Sequence, residues 1–401
     1  MLLPRLNIGN RKIVLPASKS LSNRWLIMKF LSGGKTDIKN LSTADDTLLL
    51  QNLLAQLAEG SGDVFHCENA GTAARFLTAL LATQERQSVV TGNERMKSRP
   101  IAELVEKLHA MGAEIRYLEK KGFLPVEIRG GILKGGEIRL SGEVSSQFAS
   151  ALLLASPRME NPLTLVFEKE PVSKSYISMT CEVLRQCGAD VVEESLRITA
   201  DAGNFAVPAE VYVESDWTSA SYFYNCVALS ENAVAEMHGL SEKSIQGDSV
   251  LPDIYEKLGV ETSFTDNGAV IKKKGHVAEK LCFDCKDNPD IVPALAVACA
   301  GLGIEAELKN LRTLVFKECD RLQAVSGELR KLNCRLEVSD SCLHIFPSQL
   351  IVKEPIGTFG DHRMAMAFAT LACVSDSVNI ENHGSVTKSF PCFWNELLKN
   401  N

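Results

Sequence analysis

Four stretches of the chain share one hydrophobic rhythm. In each, apolar residues recur at helical spacing, a Gly or Asn ends the run, and two short alternating segments follow around a polar turn. The first runs from Leu104 to Ile115 with its stop at Gly112, turns at Lys120-Lys121-Gly122 and continues as Phe123–Arg129. The second runs from Val183 to Val192 with its stop at Gly188, then Ser195–Thr199. The third stops at Gly259, turns at Asp266-Asn267-Gly268 and resumes at Ala269–Lys272; the fourth stops at Asn333, turns at Ser339-Asp340-Ser341 and resumes at Cys342–Phe346. Gly and Asn tolerate the left-handed conformation of a helix C-cap, and Asn-Gly or Lys-Gly turns favour tight hairpins. The stops recur at intervals of about 75 residues, so one α/β unit is used at least four times.

A second pattern concerns how the apolar helices begin. Small polar clusters stand ahead of five of them: Ser18-Lys19-Ser20 before Leu21–Leu31, Asn69-Ala70-Gly71-Thr72 before Ala73–Ala82, Ser145-Ser146-Gln147 before Phe148–Ala155, Asp290 before Ile291–Ala300, and Gly360-Asp361-His362-Arg363 before Met364–Cys373. Ser, Asn and Asp cap most helices, so each cluster taken alone is explained as an N-cap. Helix N-termini also expose unpaired N–H groups and a partial positive charge, which suits anions. Several of these clusters hold a cation: Lys19, Arg24, Arg75, Arg95, Lys317, Arg321, Arg363 and Lys388 lie in or beside such turns. Arg offers a planar fork for carboxylate and phosphate, and Lys a point charge.

Composition narrows the class. The 401 residues carry a net charge of −7, with 45% hydrophobic and 23% charged residues, which is the makeup of an ordinary globular protein of two or three domains. That charge argues against a nucleic-acid scaffold or a basic membrane-surface protein. No apolar run reaches the ~20 residues of a spanning helix, and the first residues lack the pattern of a signal peptide, so the expectation is a cytoplasmic protein. The 12 cysteines are scattered, as in a reduced compartment. Cys282 and Cys285 have zinc-ribbon spacing but lie in an alternating, strand-like run and lack a second ligand pair, so no metal is expected. P-loop, dinucleotide fingerprint, nucleophile elbow and His-Glu-x-x-His are all missing. What remains is chemistry by ionisable side chains on small polyanions, without a cofactor, with Asp290, Glu318, Lys19 and His362 as acid–base candidates. Asp290 could equally cap its helix, and Glu318 could be a surface ion pair with Lys317 or Arg321.

Eight motifs, in order along nearly the whole chain, resemble the 5-enolpyruvylshikimate-3-phosphate synthase family. They are Pro16–Arg24, Asn69–Arg75, Arg95–Pro100, Ser141–Phe148, Ser173–Ile177, Lys317–Arg321, Gly360–Met366 and Lys388–Pro391. The resemblance implies an α/β fold of two domains, each built from three βαβαββ units, with the active site in the cleft between them. Residues 1–17 plus 215–401 would form one domain and 18–214 the other. It implies a monomer that moves the enolpyruvyl group of phosphoenolpyruvate to the 5-hydroxyl of shikimate 3-phosphate, on the route to chorismate and the aromatic amino acids, and that is a glyphosate target. Position by position, Lys19, Ser20, Arg24, Ser145, Ser146, Gln147, Ser173, Tyr176, Asp290 and Lys317 would hold shikimate 3-phosphate. Lys19, Asn69, Gly71, Arg95, Gln147, Arg321, Arg363 and Lys388 would hold phosphoenolpyruvate, packing on the backbone of Gly71. Asp290 would take the 5-hydroxyl proton; Glu318 and Lys19 would handle the proton at the methylene carbon.

Two positions depart from the family pattern. Thr313 stands where Asn is usual, four residues before Lys317, and Phe76 follows Arg75 where many members have Pro. Rival readings remain. The UDP-N-acetylglucosamine enolpyruvyl transferases normally have Lys-Asn near the N-terminus and a reactive Cys in a loop; here Lys19-Ser20 and the Cys-free stretch Gly92–Pro100 stand there. An RNA 3′-phosphate cyclase would require nucleotide chemistry. A non-catalytic anion-binding relative would keep the fold without turnover.

Overall fold

A computed structural model of the chain describes residues 1–143 and 145–399. The chain divides into two compact units, Met1–Ser18 with Thr43–Asp45 and Glu214–Asn401, and Lys19–Ser42 with Asp46–Val213. Ser18 and Glu214 fall in the first unit because the Ser18 amide donates to the Glu214 carbonyl (2.8 Å), next to a bridge between Ala17 and Ser215. The short piece Thr43–Asp45 joins the same unit, where the Thr387 hydroxyl donates to Asp45 (2.5 Å).

Within the first unit, Asn10–Ile13 pairs parallel with Val234–His238, which pairs antiparallel with Gly268–Lys273, itself the hairpin partner of Val260–Thr265. Lys280–Asp284, Glu305–Lys309, Cys342–Ile345 and Leu336–Val338 repeat that order and those directions. A third, two-stranded sheet joins Leu2–Pro4 to Ser377–Asn379. Alternation sets the register. In Glu305–Lys309, Ala306 and Leu308 are fully buried and face Ile345 and Leu343, while charged residues take the other positions.

The second unit has the same inventory. Val64–His66, Gln87–Thr91, Val126–Arg129 and Glu114–Tyr117 form one four-stranded sheet. Gly136–Leu140, Leu163–Phe167, Arg197–Asp201 and Asp190–Glu193 form another, and Asp37–Lys39 with Glu210–Tyr212 a two-stranded one. The described residues therefore form four complete βαβαββ units, and each compact unit adds a two-stranded sheet in place of a full third. All four stop residues have positive φ: Gly112 (+107°), Gly188 (+77°), Gly259 (+79°) and Asn333 (+64°). The strand expected over Phe123–Arg129 shortens to Val126–Arg129, because Pro125 has no N–H to give a ladder.

Each unit is built around three mutually packed helices. In the first they are Trp217–Leu229, Val292–Leu302 and His362–Ala369, and in the second Lys19–Leu31, Gly71–Ala82 and Ser146–Ala155. Their composition explains the position: Trp217–Leu229 and His362–Ala369 are buried along their whole length, and Gly71–Ala82 is buried except at Thr72. Among the described residues no helix is long and apolar enough to cross a membrane.

Candidate active site

In the first unit the N-terminal ends of the central helices carry the charges. Asp361 caps His362–Ala369 by accepting from the Arg363 amide (2.9 Å). Ile291, without a side-chain cap, stands at the N-cap of Val292–Leu302, so the N-cap position is not that of Asp290. Its Oδ1 instead accepts from Arg321 Nη1 (2.9 Å) and Lys317 Nζ (3.2 Å), and its Oδ2 from Arg363 Nη2 (2.7 Å). Arg321, 1% exposed, also donates through Nε to Asp361 (2.6 Å) and through Nη2 to Glu318 (2.5 Å). Glu318 is thus part of a buried lattice rather than a surface pair.

Lys317, Arg321 and Arg363 face Asp290, Glu318 and Asp361, three charges of each sign. Burial pushes the Asp290 carboxyl up, but Arg363, Lys317 and Arg321 together outweigh it and hold it well below the usual carboxylate range. Burial lowers Lys317, with Asp290 opposing. Burial alone would also lower Arg321, yet Asp361, Glu318 and Asp290 raise it above its ordinary value. His362, fully buried, is the first residue of its helix. Lys388 ends the 3₁₀ turn His383–Lys388. Thr313 lies buried in the turn Arg312–Phe316, just ahead of Lys317.

One member of this neighbourhood escaped the sequence reading. Asp248, 4% exposed, accepts from the Thr218 hydroxyl (2.5 Å) and from Asn288 (3.0 Å), linking the first turn of Trp217–Leu229 to the segment ahead of Val292–Leu302. Burial, reinforced by the charge of Asp290, pushes its carboxyl up to about 6.

In the second unit Lys19 opens its helix and pairs with Asp46 (3.0 Å). The Ser20 carbonyl accepts from Arg24 (2.8 Å). Ser145 caps Ser146–Ala155 through the Gln147 amide (3.2 Å), and Gln147 Nε2 reaches Thr72 Oγ1 (3.3 Å), tying this helix start to that of Gly71–Ala82. Ser173, at φ +55°, precedes Lys174–Gln186, and the Tyr176 carbonyl in its first turn accepts from Arg24 (2.8 Å). Asn69 belongs to the turn Cys67–Ala70, and Arg95 to the short helix Glu94–Lys97. At Gly71 the space a Cβ would enter is filled by the Arg99 guanidinium, 2.7 Å away, so a protein cation makes a close approach there that requires glycine. Among the described residues no group of His, Cys, Asp and Glu could hold a metal, and Cys282 and Cys285 are thiols on and beside the strand Lys280–Asp284.

The chain is similar over nearly its whole length to known proteins. The family model of EPSP synthase (3-phosphoshikimate 1-carboxyvinyltransferase) matches residues 9–397. The chain belongs to the EPSP synthase family. It is 40% identical over 395 residues to the 3-phosphoshikimate 1-carboxyvinyltransferase of Bacteroides fragilis, covering 96% of this chain and 94% of that one. With the enzyme of the same name from Vibrio atlanticus it shares 34% over 410 residues, covering 96% of each. The solved EPSP synthase of Acinetobacter baumannii shares the fold, with a TM-score of 0.78 over 99% of this chain and 97% of that one at 23% identity. Membership in the EPSP synthase family agrees with the fold of repeated βαβαββ units in two domains.

Proposed function

We propose that this chain transfers the carboxyvinyl group of phosphoenolpyruvate to the 5-hydroxyl of shikimate 3-phosphate, releasing phosphate, as a monomer in the cytoplasm. The observation that carries the reading is the Asp290 cluster. A carboxylate at the start of a buried helix is gripped by three cations that two anionic substrates can claim. Each substrate brings a phosphate and a carboxylate, and helix N-termini and Arg forks suit both groups.

The chemistry follows from which groups are free to exchange protons. Asp290, ionised throughout the neutral range, can accept the 5-hydroxyl proton as that oxygen attacks the central carbon of phosphoenolpyruvate. As Lys317 and Arg363 turn toward substrate oxygens, they release Asp290 and its basicity rises toward that of an ordinary carboxylate. Lys19 or Glu318 protonates the methylene carbon in the same step, forming the tetrahedral intermediate. Loss of a methyl proton and of phosphate then restores the double bond as an enol ether. Arg95, Arg363 and Lys388 stabilise the departing phosphate. Lys19, Ser20, Arg24, Ser145, Ser146, Gln147, Ser173, Tyr176, Asp290 and Lys317 hold the acceptor. Lys19, Asn69, Gly71, Arg95, Gln147, Arg321, Arg363 and Lys388 hold the donor, and glyphosate competes there.

Phosphate release measured with phosphoenolpyruvate and either acceptor tests this. Release with shikimate 3-phosphate and none with UDP-N-acetylglucosamine is expected; the reverse would overturn the acceptor, and no release with either would overturn the catalytic reading.

A further inference from the structure

Two buried arginines of this chain are solvated by the protein in opposite ways. Arg321 is surrounded by three carboxylates. Arg24, 3% exposed, has none among the described residues. Its Nε donates to Thr180 Oγ1 (2.8 Å), its Nη1 to the Ser20 carbonyl (2.8 Å), and its Nη2 to the Tyr176 carbonyl (2.8 Å) and Ser150 Oγ (3.3 Å). All of these acceptors are neutral. A guanidinium has five N–H groups, so one on Nη1 is left for a ligand.

The Phe76 ring lies against the same group, its centroid 5.6 Å from Cζ, within the reach of a cation–π contact. Thr180 is itself held, donating to Ser150 Oγ (3.0 Å) and the Tyr176 carbonyl (3.0 Å). Arg24, Phe76, Ser150 and Thr180 come from four different helices of the second unit: Lys19–Leu31, Gly71–Ala82, Ser146–Ala155 and Lys174–Gln186. Phe76, Ser150 and Thr180 are each almost fully buried. Phe76 is the residue that replaces the family's usual Pro, and the ring it brings is spent on Arg24.

Leaving a buried cation without a counter-ion is costly unless an anion arrives, and burial lowers the Arg24 guanidinium to about 10. A carboxylate partner would neutralise it before any substrate bound. We propose that Phe76, Ser150 and Thr180 are positioning residues that form a neutral seat, holding Arg24 rigid and un-neutralised for an anionic group of shikimate 3-phosphate. This rests on the function proposed above.

The test is calorimetric titration of the full-length chain with shikimate 3-phosphate, alongside steady-state kinetics. In Thr180→Val the Nε donor loses its acceptor while volume is kept. Binding should weaken roughly tenfold, as for a lost hydrogen bond to a charged group. KM for shikimate 3-phosphate should rise with it, while kcat and KM for phosphoenolpyruvate stay within about twofold. Thr180→Ser should restore binding, and Phe76→Leu should weaken it about threefold. Thr78→Val is the matched control, since the Thr78 hydroxyl is also fully buried but bonds only the Ala74 carbonyl of its own helix (2.7 Å); its binding should not change. The seat is overturned if Thr180→Val binds like the wild type, if Thr180→Ser fails to rescue, or if Thr78→Val is equally impaired. Should Thr180→Val not fold, unaltered binding by Phe76→Leu would overturn it. Failure of the wild-type chain to bind shikimate 3-phosphate would instead overturn the functional reading beneath it.

Discussion

Replacing Asp290 with Asn separates a base from a counter-ion. The substitution removes one negative charge from among Lys317, Arg321 and Arg363, which keep Glu318 and Asp361, so the cluster becomes more positive by one charge. An Asn oxygen at the Oδ1 position still accepts from Arg321 and Lys317, but the amide NH₂ then faces Arg363 Nη2, donor against donor, where 2.7 Å now separates it from a carboxylate oxygen. Breaking a buried pair costs about 3–5 kcal/mol, and the side chain's 14% exposure and retained bonds place this change near the lower end. The effect on chemistry is separate. Loss of a general base removes about 10²–10⁴ in rate, or about 3–5 kcal/mol of barrier. The excess positive charge favours anionic ligands, so KM for shikimate 3-phosphate should hold or fall. The assay is phosphate release with both substrates varied, beside a urea melt of each protein. Expected is a kcat loss of a hundredfold or more with KM held. A kcat within tenfold of wild type, with KM held or lowered, would show that Asp290 only balances charge. Because its pKa is depressed in the folded chain, the stability Asp290 contributes is whole above the ordinary carboxylate value near 4 and lost as pH falls below it. Acid melts of the variant should lack that component.

Other consequences follow from single contacts. Asp248, raised to about 6 from 3.8, favours the folded chain at low pH; this contribution is whole below about 4, is lost as pH rises toward 6, and amounts to about 3 kcal/mol. Asp248→Asn should flatten stability between pH 4 and 6 and melt later than wild type at pH 7, and an unchanged slope in urea titrations would refute the assignment. Asp361→Asn takes from Arg321 its 2.6 Å partner, so a loss of about 3 kcal/mol in a urea melt is expected, and a loss below about 1 kcal/mol would show the lattice is not stabilising. In Gly71→Ala the methyl meets the Arg99 guanidinium at 2.7 Å and the arginine must swing aside. KM for phosphoenolpyruvate should rise roughly tenfold or more and glyphosate inhibition weaken in step; unaltered KM and sensitivity would contradict the donor placement.

The repeated units were visible in the sequence because their marks are local. A stop residue that must take positive φ, as Gly188 and Asn333 do, stands beside its own hairpin, and a few residues suffice to show it. The two-stranded sheets were not visible, because Leu2–Pro4 pairs with Ser377–Asn379 and Asp37–Lys39 with Glu210–Tyr212, three residues each, too short for alternation and joined only in space. The site divides the same way. Its cations sit in motifs and Asp290 stands directly ahead of an apolar helix, and both marks can be read. The partners that set their behaviour cannot: Thr180 lies 156 residues from Arg24 and Ser150 lies 126, and a Thr or Ser inside an amphipathic helix carries no mark of the guanidinium it will meet. Asp248 and Asp46 were missed for that reason; Arg99 stands inside the motif Arg95–Pro100, but its approach to Gly71 carries no mark in the sequence.

The two arginine environments suggest different duties. Arg321, saturated with carboxylates, is a rigid hub that fixes Asp290, Glu318 and Asp361 relative to one another. Arg24, seated among neutral groups, keeps its charge available. Cations packed together without counter-charges would repel one another, and a cation that is fully paired attracts nothing further.

The most direct test of carboxyvinyl transfer is proton NMR of the reaction run in deuterium oxide with phosphoenolpyruvate and shikimate 3-phosphate. Addition–elimination passes through a methyl group, so the product should be an enol ether of shikimate 3-phosphate whose vinyl positions carry deuterium, formed one for one with phosphate. Phosphate released with pyruvate as the only carbon product, or an enol ether whose vinyl hydrogens all remain protium, would contradict it.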